Sequence, residues 1–384
     1  MANRNLTKAK REKNDEFYTQ YPDIQKEVEA YLEYDPNTFR DKVVYCNCDD
    51  PYESNFFRYF VLNFKKLGLK QLITTSYKPS PIANTQLELF AGFEATPERQ
   101  KGRPKVTANK FIINKVGKIE SSDELSLEDI AKQLKENKQN EWTPLEGDGD
   151  FRSEECIKLL EQSDIVVTNP PFSLFREYVK QLVDYDKKFL IIGNMNAITY
   201  KEIFPLIKDN KLWLGNKTSS QQMFLEAPKE YTEKVMASRQ EGMWWRIVDG
   251  KPLIGIHTAL WFTNLEHGRR HQPLELMTMA DNLKFRKNKA FAEGKAYEKY
   301  DNYDAIEIPL TNAIPSDYEG AMGVPISFLD KYCPEQFEIL GATESEGKGF
   351  SNGLWDETSN VSQPLIDGQR KFKRIFIKYK REQS

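Results

Sequence analysis

The sequence predicts an α/β fold, a mostly parallel sheet with helices on both faces, and three observations carry that prediction. Short apolar, β-branched runs alternate with helical patterns along the first half of the chain, the order that places parallel strands beneath crossover helices. The composition is globular, with 39% hydrophobic and 29% charged residues. No internal repeat competes with a layered fold. Taking the elements in order, Lys42 to Cys46 is a β-branched run, and Glu53 to Leu67 follows with helical spacing in Phe56, Phe57, Phe60 and Phe64 until Gly68 ends it. Gln71 to Ser76 is the second expected strand. Tyr77 to Thr107, rich in Pro and polar residues, is an expected irregular insertion, long enough to mark function or mobility. Lys110 to Val116 is a further expected strand and Ser126 to Asn137 a polar helix. The pattern then becomes regular. Leu145 to Phe151 ends a strand, Ser153 to Gln162 is a helix, and Ile165 to Thr168 is a strand. A helix from about Leu174 to Val183, a strand over Phe189 to Gly193 and a helix over Ile198 to Ile207 complete the series.

At 384 residues the chain is expected to form one large domain or two. No apolar run nears the roughly 18 residues of a membrane span. Met1 to Asn14 is polar and basic with no apolar h-region, unlike a signal peptide. Cys46, Cys48, Cys156 and Cys333 are too few and scattered for a disulfide framework, and a lone Cys-x-Cys lacks the second pair of a zinc site. The expectation is a protein of the reducing cytoplasm without a metal. A net charge of -3 neither favours nor excludes nucleic acid, so local charge must decide.

The tetrapeptide Asn169-Pro170-Pro171-Phe172 follows the apolar run Asp164 to Thr168 and precedes a helical pattern. Loops at the carboxyl ends of strands in open α/β sheets are where ligands bind, and this one offers a side-chain amide, a stiffened carbonyl and an aromatic face. Those parts suit transfer of a methyl group to an exocyclic amine such as N6 of adenine, whose lone pair is delocalised into the ring and has to be oriented. Asn169 Oδ1 would accept one N6 proton and the Pro170 carbonyl the other. Because Pro170 precedes a proline it is held out of the α region, so its carbonyl is set before substrate arrives. Phe172 would stack on the base, which must be flipped out of its duplex to reach the pocket. The plainer alternative is a Pro-Pro loop in which Asn169 caps the next helix and Phe172 joins the core.

Several segments, spread over most of the chain, resemble the EcoRI-type adenine-N6 DNA methyltransferases. Asn14 to Gln20 resembles that family's N-terminal cofactor motif, Tyr45-Cys46-Asn47-Cys48-Asp49-Asp50-Pro51 its first-strand loop, Gly147-Asp148-Gly149-Asp150-Phe151 its third-strand end, and Thr168 to Phe172 its catalytic loop. The motif order is also similar, with the cofactor segment first. The resemblance implies a Rossmann-like sheet, S-adenosylmethionine as methyl donor, adenine in a defined duplex sequence as acceptor, and a C-terminal target-recognition region. It implies cofactor contacts from Asp15, Phe17, Tyr18 and Thr19, from Cys46, Asn47 and Asp49, and from Asp148, Asp150 and Phe151. A carboxylate at 150 would accept from the cofactor's amines and Phe151 would stack on its adenine, with Asp148 the rival carboxylate. A solvated Gly-Asp turn and an N-terminal arm that merely packs are the alternatives. Two departures stand out. Cys46 to Tyr52 contains no glycine where the wider methyltransferase pattern has a Gly-x-Gly turn, and Thr74-Thr75-Ser76-Tyr77 lacks the usual acid at the end of the second strand. Asp49 or Asp50 would substitute.

Three basic segments are candidates for DNA contact. Arg99 to Lys105, with Arg103 and Lys105 beside Gly102 and Pro104, resembles a minor-groove arm. Lys284 to Lys289, with Lys287 and Lys289, and Lys371 to Arg381, with Lys378 and Lys380, interleave cations with aromatics. Each is also what a solvated face looks like, and Phe372, Arg374 and Phe376 would share one face of a strand. His267 and His271 lack evident acidic or Cys partners, so phosphate contact or exposure is expected rather than metal binding.

The resulting expectation is a base-flipping DNA adenine-N6 methyltransferase of a restriction-modification or related defence system, with a cognate endonuclease as a possible partner. It comprises an arm over residues 1–40, a catalytic core over 41–210 with an insertion at about 77–140, and the last core strands and recognition region over 211–384. A glutamine-N5 protein or RNA adenine methyltransferase would use the same loop without needing a basic C-terminal half. A catalytically silent DNA-binding protein is the non-enzyme alternative.

Overall fold

The chain divides into two compact units, residues 1–194 with 220–265, and residues 195–219 with 266–384. The computed structural model describes residues 19–47, 54–76, 108–117, 137–227, 229–285, 296–343 and 364–380.

In the first unit, β1 (Val43–Cys46), β2 (Gln71–Thr75), β3 (Asn109–Ile113), β4 (Glu141–Pro144), β5 (Ile165–Thr168) and β6 (Lys188–Asn194) lie in one sheet with a closing strand, Ala259–Thr263. Among the strands of this unit the order is β4-β3-β2-β1-β5-β6 and then the closing strand. The expected parallel pairing holds at the centre, where β1 lies between β2 and β5 and β5 runs beside β6. Both flanks are antiparallel: β3 on β2, β4 on β3, and the closing strand on β6. All four residues of β1 and of β5 are buried, as befits strands with both faces covered.

The helices follow from capping and periodicity. α1 (Tyr21–Tyr34) opens with Pro22 and Asp23 in its first turn and buries Ile24, Val28 and Tyr31, one stripe at helical spacing. The aromatic run expected as one helix is two, α2 (Asn55–Leu62) and α3 (Phe64–Leu67). Asn63 divides them, turning its amide back to the Tyr59 carbonyl at 2.9 Å and to the Tyr21 hydroxyl at 3.2 Å. Ser54 caps α2, accepting from Phe56 and Phe57, and Gly68 ends α3 at φ 65°. α4 (Glu154–Gln162) is capped by Ser153, with Glu154 and Glu155 at its positive end. α5 (Phe175–Asp184) buries Phe175, Tyr178, Val179 and Leu182. Val44, Phe56, Phe60, Leu190, Ile192 and Trp261 belong to one core with α1.

Two expected elements are corrected. The strand expected to end over Leu145 to Phe151 stops at Pro144; Leu145 makes a last backbone bond to Ala108, after which the chain leaves the sheet. The helix expected over Ile198 to Ile207 is a 3₁₀ turn, Met195–Thr199, and a separate helix, Phe204–Lys208. Pro205 causes the break, because a proline suits a first turn and not an interior. The insertion at 77–107 and most of the polar helix at 126–137 lie outside the described residues. A second, three-stranded sheet completes the unit, with Lys251–Ile256 between Met223–Leu225 and Trp245–Val248. Its tight turn, Asp249 and Gly250 at φ 53° and 76°, is the Asp-Gly hairpin signal.

The second unit holds a four-stranded sheet, in the order Ala305–Glu307, Ala321–Val324, Ile375–Tyr379, Phe337–Ala342. The expected shared face of Phe372, Arg374 and Phe376 does not form. The strand starts at Ile375, leaving Phe372 86% exposed while Phe376 is fully buried. Among the described residues no helix is long and apolar enough to cross a membrane.

His267, also in this unit, is 3% exposed and places Nε2 3.0 Å from the Leu214 carbonyl oxygen. It is therefore not a phosphate contact. Burial pushes its pKa down to about 4. In the unfolded chain the ring takes its proton near pH 6.5, so the stabilisation is complete above that pH and is lost as pH falls from 6.5 towards 4. The shift corresponds to about 3 kcal/mol of unfolding free energy. Urea unfolding at pH 7 and at 4.5 should show a smaller pH dependence in His267→Gln than in the wild type; equal slopes would refute the assignment.

Candidate active site

β1 and β5 lie side by side and end on the same edge of the sheet, with Asn47 after one and Asn169 after the other. Asn47 is 3% exposed and is held by both neighbours. Its backbone oxygen accepts from the Thr168 hydroxyl and its side-chain oxygen from the Tyr178 hydroxyl of α5. The start of the loop after β1 is thus tied to β5 and α5 by side chains. Cys46 is fully buried and packs in the core, so only its backbone faces the strand end.

The N-terminal segment arrives at the same edge. Thr19 is 4% exposed, its carbonyl accepts from Asn55 Nδ2 at 2.7 Å, and Asn169 Nδ2 stands 3.4 Å from its hydroxyl. That contact uses the amide nitrogen, the donor end of the side chain. The 3₁₀ turn Phe172–Leu174 and α5 carry no side-chain cap, which removes the alternative in which Asn169 is a helix cap. Pro170 is buried, and the first bond of the following turn closes on the Pro171 carbonyl, from Leu174 N–H at 2.9 Å. No hydrogen bond to the Pro170 carbonyl is formed among the described residues. Phe172 is half-buried and packs against the main core of the unit.

The loop after β4 packs against the end of β2. Gly149 has φ 78°, and a Cβ there would collide with the Ser76 carbonyl, so only glycine fits. The approach brings Asp148 and Asp150 to the carboxyl edge of the parallel strands. Asp148 Oδ1 accepts from the Asp150 N–H at 3.2 Å. Asp150 grips Arg152 with both oxygens, at 2.9 Å to Nε and 2.7 Å to Nη2, and Arg152 continues to Glu177 of α5 at 2.8 Å. The Asp150 hydrogen bond raises the Arg152 pKa further above its ordinary value. Phe151 is 4% exposed, its ring edge against Tyr178 with centroids 5.0 Å apart. At the end of β2, where the usual acid is missing, the buried Thr74 hydroxyl has no hydrogen-bond partner among the described residues.

Asn169, Thr19 and Asn47 are thus brought together around the ends of β1 and β5, and Asp148, Asp150 and Phe151 stand after β4. Asp15, Phe17, Tyr18, Asp49, Arg103, Lys105, Lys287 and Lys289 lie outside the described residues. Lys378 and Lys380 are in the second unit, Lys378 paired across the strands with Glu338 and Lys380 donating to the Pro334 carbonyl. His271 does have acidic partners, Glu335 and Glu266 at 2.9 and 3.0 Å, yet among the described residues no group of three His, Cys, Asp or Glu is placed to hold a metal. Sequence reading placed Thr168 in the loop motif without a role of its own and missed Tyr178 and Arg152. A detectable signal existed for Arg152 alone, a cation two residues from the carboxylate it holds.

No solved structure matches the chain. The family described as adenine-specific methyltransferase EcoRI matches residues 5–380. The type II methyltransferase M.EcoRI of Escherichia coli is 42% identical over 99% of this chain and 98% of its own. M.MpnI of Mycoplasma pneumoniae is 33% identical over 97% of each chain, and M.MgeORF184P of Mycoplasma genitalium 32% over 97% of this chain and 98% of its own. The match runs through the N-terminal segment, the loop after β1, the loop after β4 and the Asn-Pro-Pro-Phe turn, and the chain belongs to the EcoRI-type adenine-specific DNA methyltransferase family.

Proposed function

We propose that this protein transfers a methyl group from S-adenosylmethionine to N6 of an adenine flipped out of a defined duplex sequence, as the modification enzyme of a restriction-modification or related defence system in the cytoplasm. The observation that carries the reading is the pair of acceptors after β5, Asn169 Oδ1 and the Pro170 carbonyl, the latter accepting no hydrogen bond among the described residues. Two acceptors on one exocyclic nitrogen hold both its protons and turn its lone pair out of the ring plane. The donor supplies a methyl made electrophilic by a positively charged sulfur. The chain's own task is to align the amine, exclude water and take up the proton released.

The carboxyl edge has the chemistry to hold such a donor. Asp148 and Asp150 are acceptors for a cationic amine, and the Thr74 hydroxyl, without a hydrogen-bond partner among the described residues, is a polar group where ribose hydroxyls would need one. Thr19, with Asp15, Phe17 and Tyr18 before it, would close over the methionine end. Asn47 and Asp49 would bound the site on the β1 side, Phe151 would wall the adenine side, and Phe172 would meet the target base. Cys46 would contribute backbone alone. On this reading the core is Rossmann-like, the region from about residue 210 contributes target recognition, and Arg103, Lys105, Lys287, Lys289, Lys378 and Lys380 contact phosphates. Duplex DNA is the partner, and a cognate endonuclease would act on the same site. Labelled methyl transfer to DNA, followed by modification-sensitive sequencing, tests the reading; product that lacks N6-methyladenine would refute it.

Asp150→Ala should weaken S-adenosylmethionine binding by roughly tenfold, the loss of about 1.4 kcal/mol from a charge-assisted hydrogen bond. Titration calorimetry reads it. Because Asp150 also holds Arg152, normal binding by Asp150→Ala together with weakened binding by Asp148→Ala would transfer the role to Asp148.

A further inference from the structure

The carboxyl edge of the first unit carries a structure that the proposed chemistry leaves unused. β6 ends at Asn194, whose side-chain amide donates to the Thr258 hydroxyl at 3.1 Å, and Ala259 pairs with Asn194 as the closing strand begins. The end of the three-stranded sheet at Ile256 and His257 therefore stands at the edge that bears Asn169, one strand away. Ile256 and Phe172 pack on the same core.

Across that end of the small sheet lies the turn Gly242 to Trp245. It is rigid. Gly242 N–H bonds to the Trp245 carbonyl at 2.7 Å, with Gly242 at φ 106°. The Met243 carbonyl accepts from the Gln222 amide, and the Trp244 carbonyl from Gly255 N–H at 2.8 Å. A Cβ on Gly255 would collide with Gln222, so the turn sits closer to the strand than any other residue would permit. The Arg239 guanidinium lies 4.4 Å over the Trp244 ring, the His257 ring meets that ring edge-on at 5.4 Å, and Trp245 Nε1 donates to the Arg239 carbonyl at 3.0 Å.

What this scaffold presents is Met243, 61% exposed. An apolar side chain held in water on a preorganised turn gains nothing from folding. Flipping an adenine leaves a gap in the base stack, and Met is among the side chains that enter base steps as wedges. Arg239 and Arg246 flank the turn with the charge that a phosphate backbone requires; Arg246 lies 3.7 Å over Phe224.

We propose that the Gly242 to Trp245 turn contacts DNA and that Met243 enters the stack beside the flipped adenine, supported by Trp244 and Arg239. The proposal rests on the adenine-flipping reading and adds a positioning residue to it. Met243 fills the gap beside the orphaned partner base and so offsets the cost of breaking the pair; its contribution should vanish where there is no partner base to be left unpaired.

The test uses the full-length protein and a duplex whose modified adenine has been located by sequencing. In one version 2-aminopurine replaces that adenine; in another the opposite nucleotide is abasic. Met243→Ala should lose most of the 2-aminopurine fluorescence rise and methylate the paired duplex about tenfold more slowly in a single turnover, the effect of losing roughly 1.4 kcal/mol. On the abasic duplex it should match the wild type, and Met243→Leu should behave as wild type on both. Equal loss on both duplexes, or no loss on either, would overturn the wedge while leaving the methyltransferase reading intact. A wild-type protein inert on every duplex would overturn both readings.

Discussion

Asn169→Ala should retain S-adenosylmethionine and DNA while its methyl-transfer rate falls by two to four kcal/mol of barrier, about 30- to 1,000-fold, by analogy with removal of one preorganised transition-state hydrogen bond. The side chain donates to Thr19 through its nitrogen at 3.4 Å and the helices that follow carry no side-chain cap, so a far-ultraviolet spectrum and melting point equal to the wild type's should accompany the loss of rate. Single-turnover transfer of a labelled methyl group is the measurement. A rate within threefold of the wild type would remove Asn169 from the mechanism and leave the Pro170 carbonyl to act alone. Asn169→Asp keeps an acceptor but brings a charge, and its recovery should depend on pH.

Arg374→Ala should cost the second unit about 3 to 5 kcal/mol, because it strands a buried carboxylate. Arg374 and Glu307 have side chains 11% and 8% exposed and are joined at 2.5 Å between Nη2 and Oε1 and 3.0 Å from Nε. The Tyr300 hydroxyl also donates to Glu307, and burial foremost, then the Glu307 charge, raises the Tyr300 pKa. Urea unfolding reads the cost. Replacing both partners with apolar residues, Arg374→Met with Glu307→Leu, should recover much of it, since the penalty belongs to the unpaired charge. A single-variant loss below about 1 kcal/mol would show that water reaches Glu307 and solvates it.

What was legible in the sequence was what is local. The run Ile165 to Thr168, the helix ending at Gln162 and the stop at Gly68 are decided within a few residues, and each falls where the sequence places it. The Asn-Pro-Pro-Phe turn follows β5 where the sequence places it for the same reason, its signal being contained in four consecutive positions. Ala259 to Thr263 is as apolar as β5, yet its antiparallel place beside β6 depends on a partner 65 residues earlier in the chain, as the Ala259–Asn194 pairing shows. The Asn47 to Tyr178 contact spans 131 residues and has no local signature. Pro144 ended β4 before the Gly-Asp loop, and the regular spacing of the later strands drew the expected strand too far along. The Asp249-Gly250 signal was present in the sequence and unread, and with it the small sheet that bears Met243.

The late arrival of the closing strand has a consequence for synthesis. Until residues 259–263 leave the ribosome, the outer edge of β6 has no partner from that strand, and β6 is seven residues long with five of them buried in the finished fold. At roughly 5 to 20 residues per second the wait from Asn194 to Thr263 lasts about 3 to 14 seconds. An unpaired apolar edge is a template for other chains. Crowded expression of the nascent protein should therefore favour intermolecular pairing at β6, and slower initiation or cooler growth should raise the yield of folded enzyme without any change in its stability.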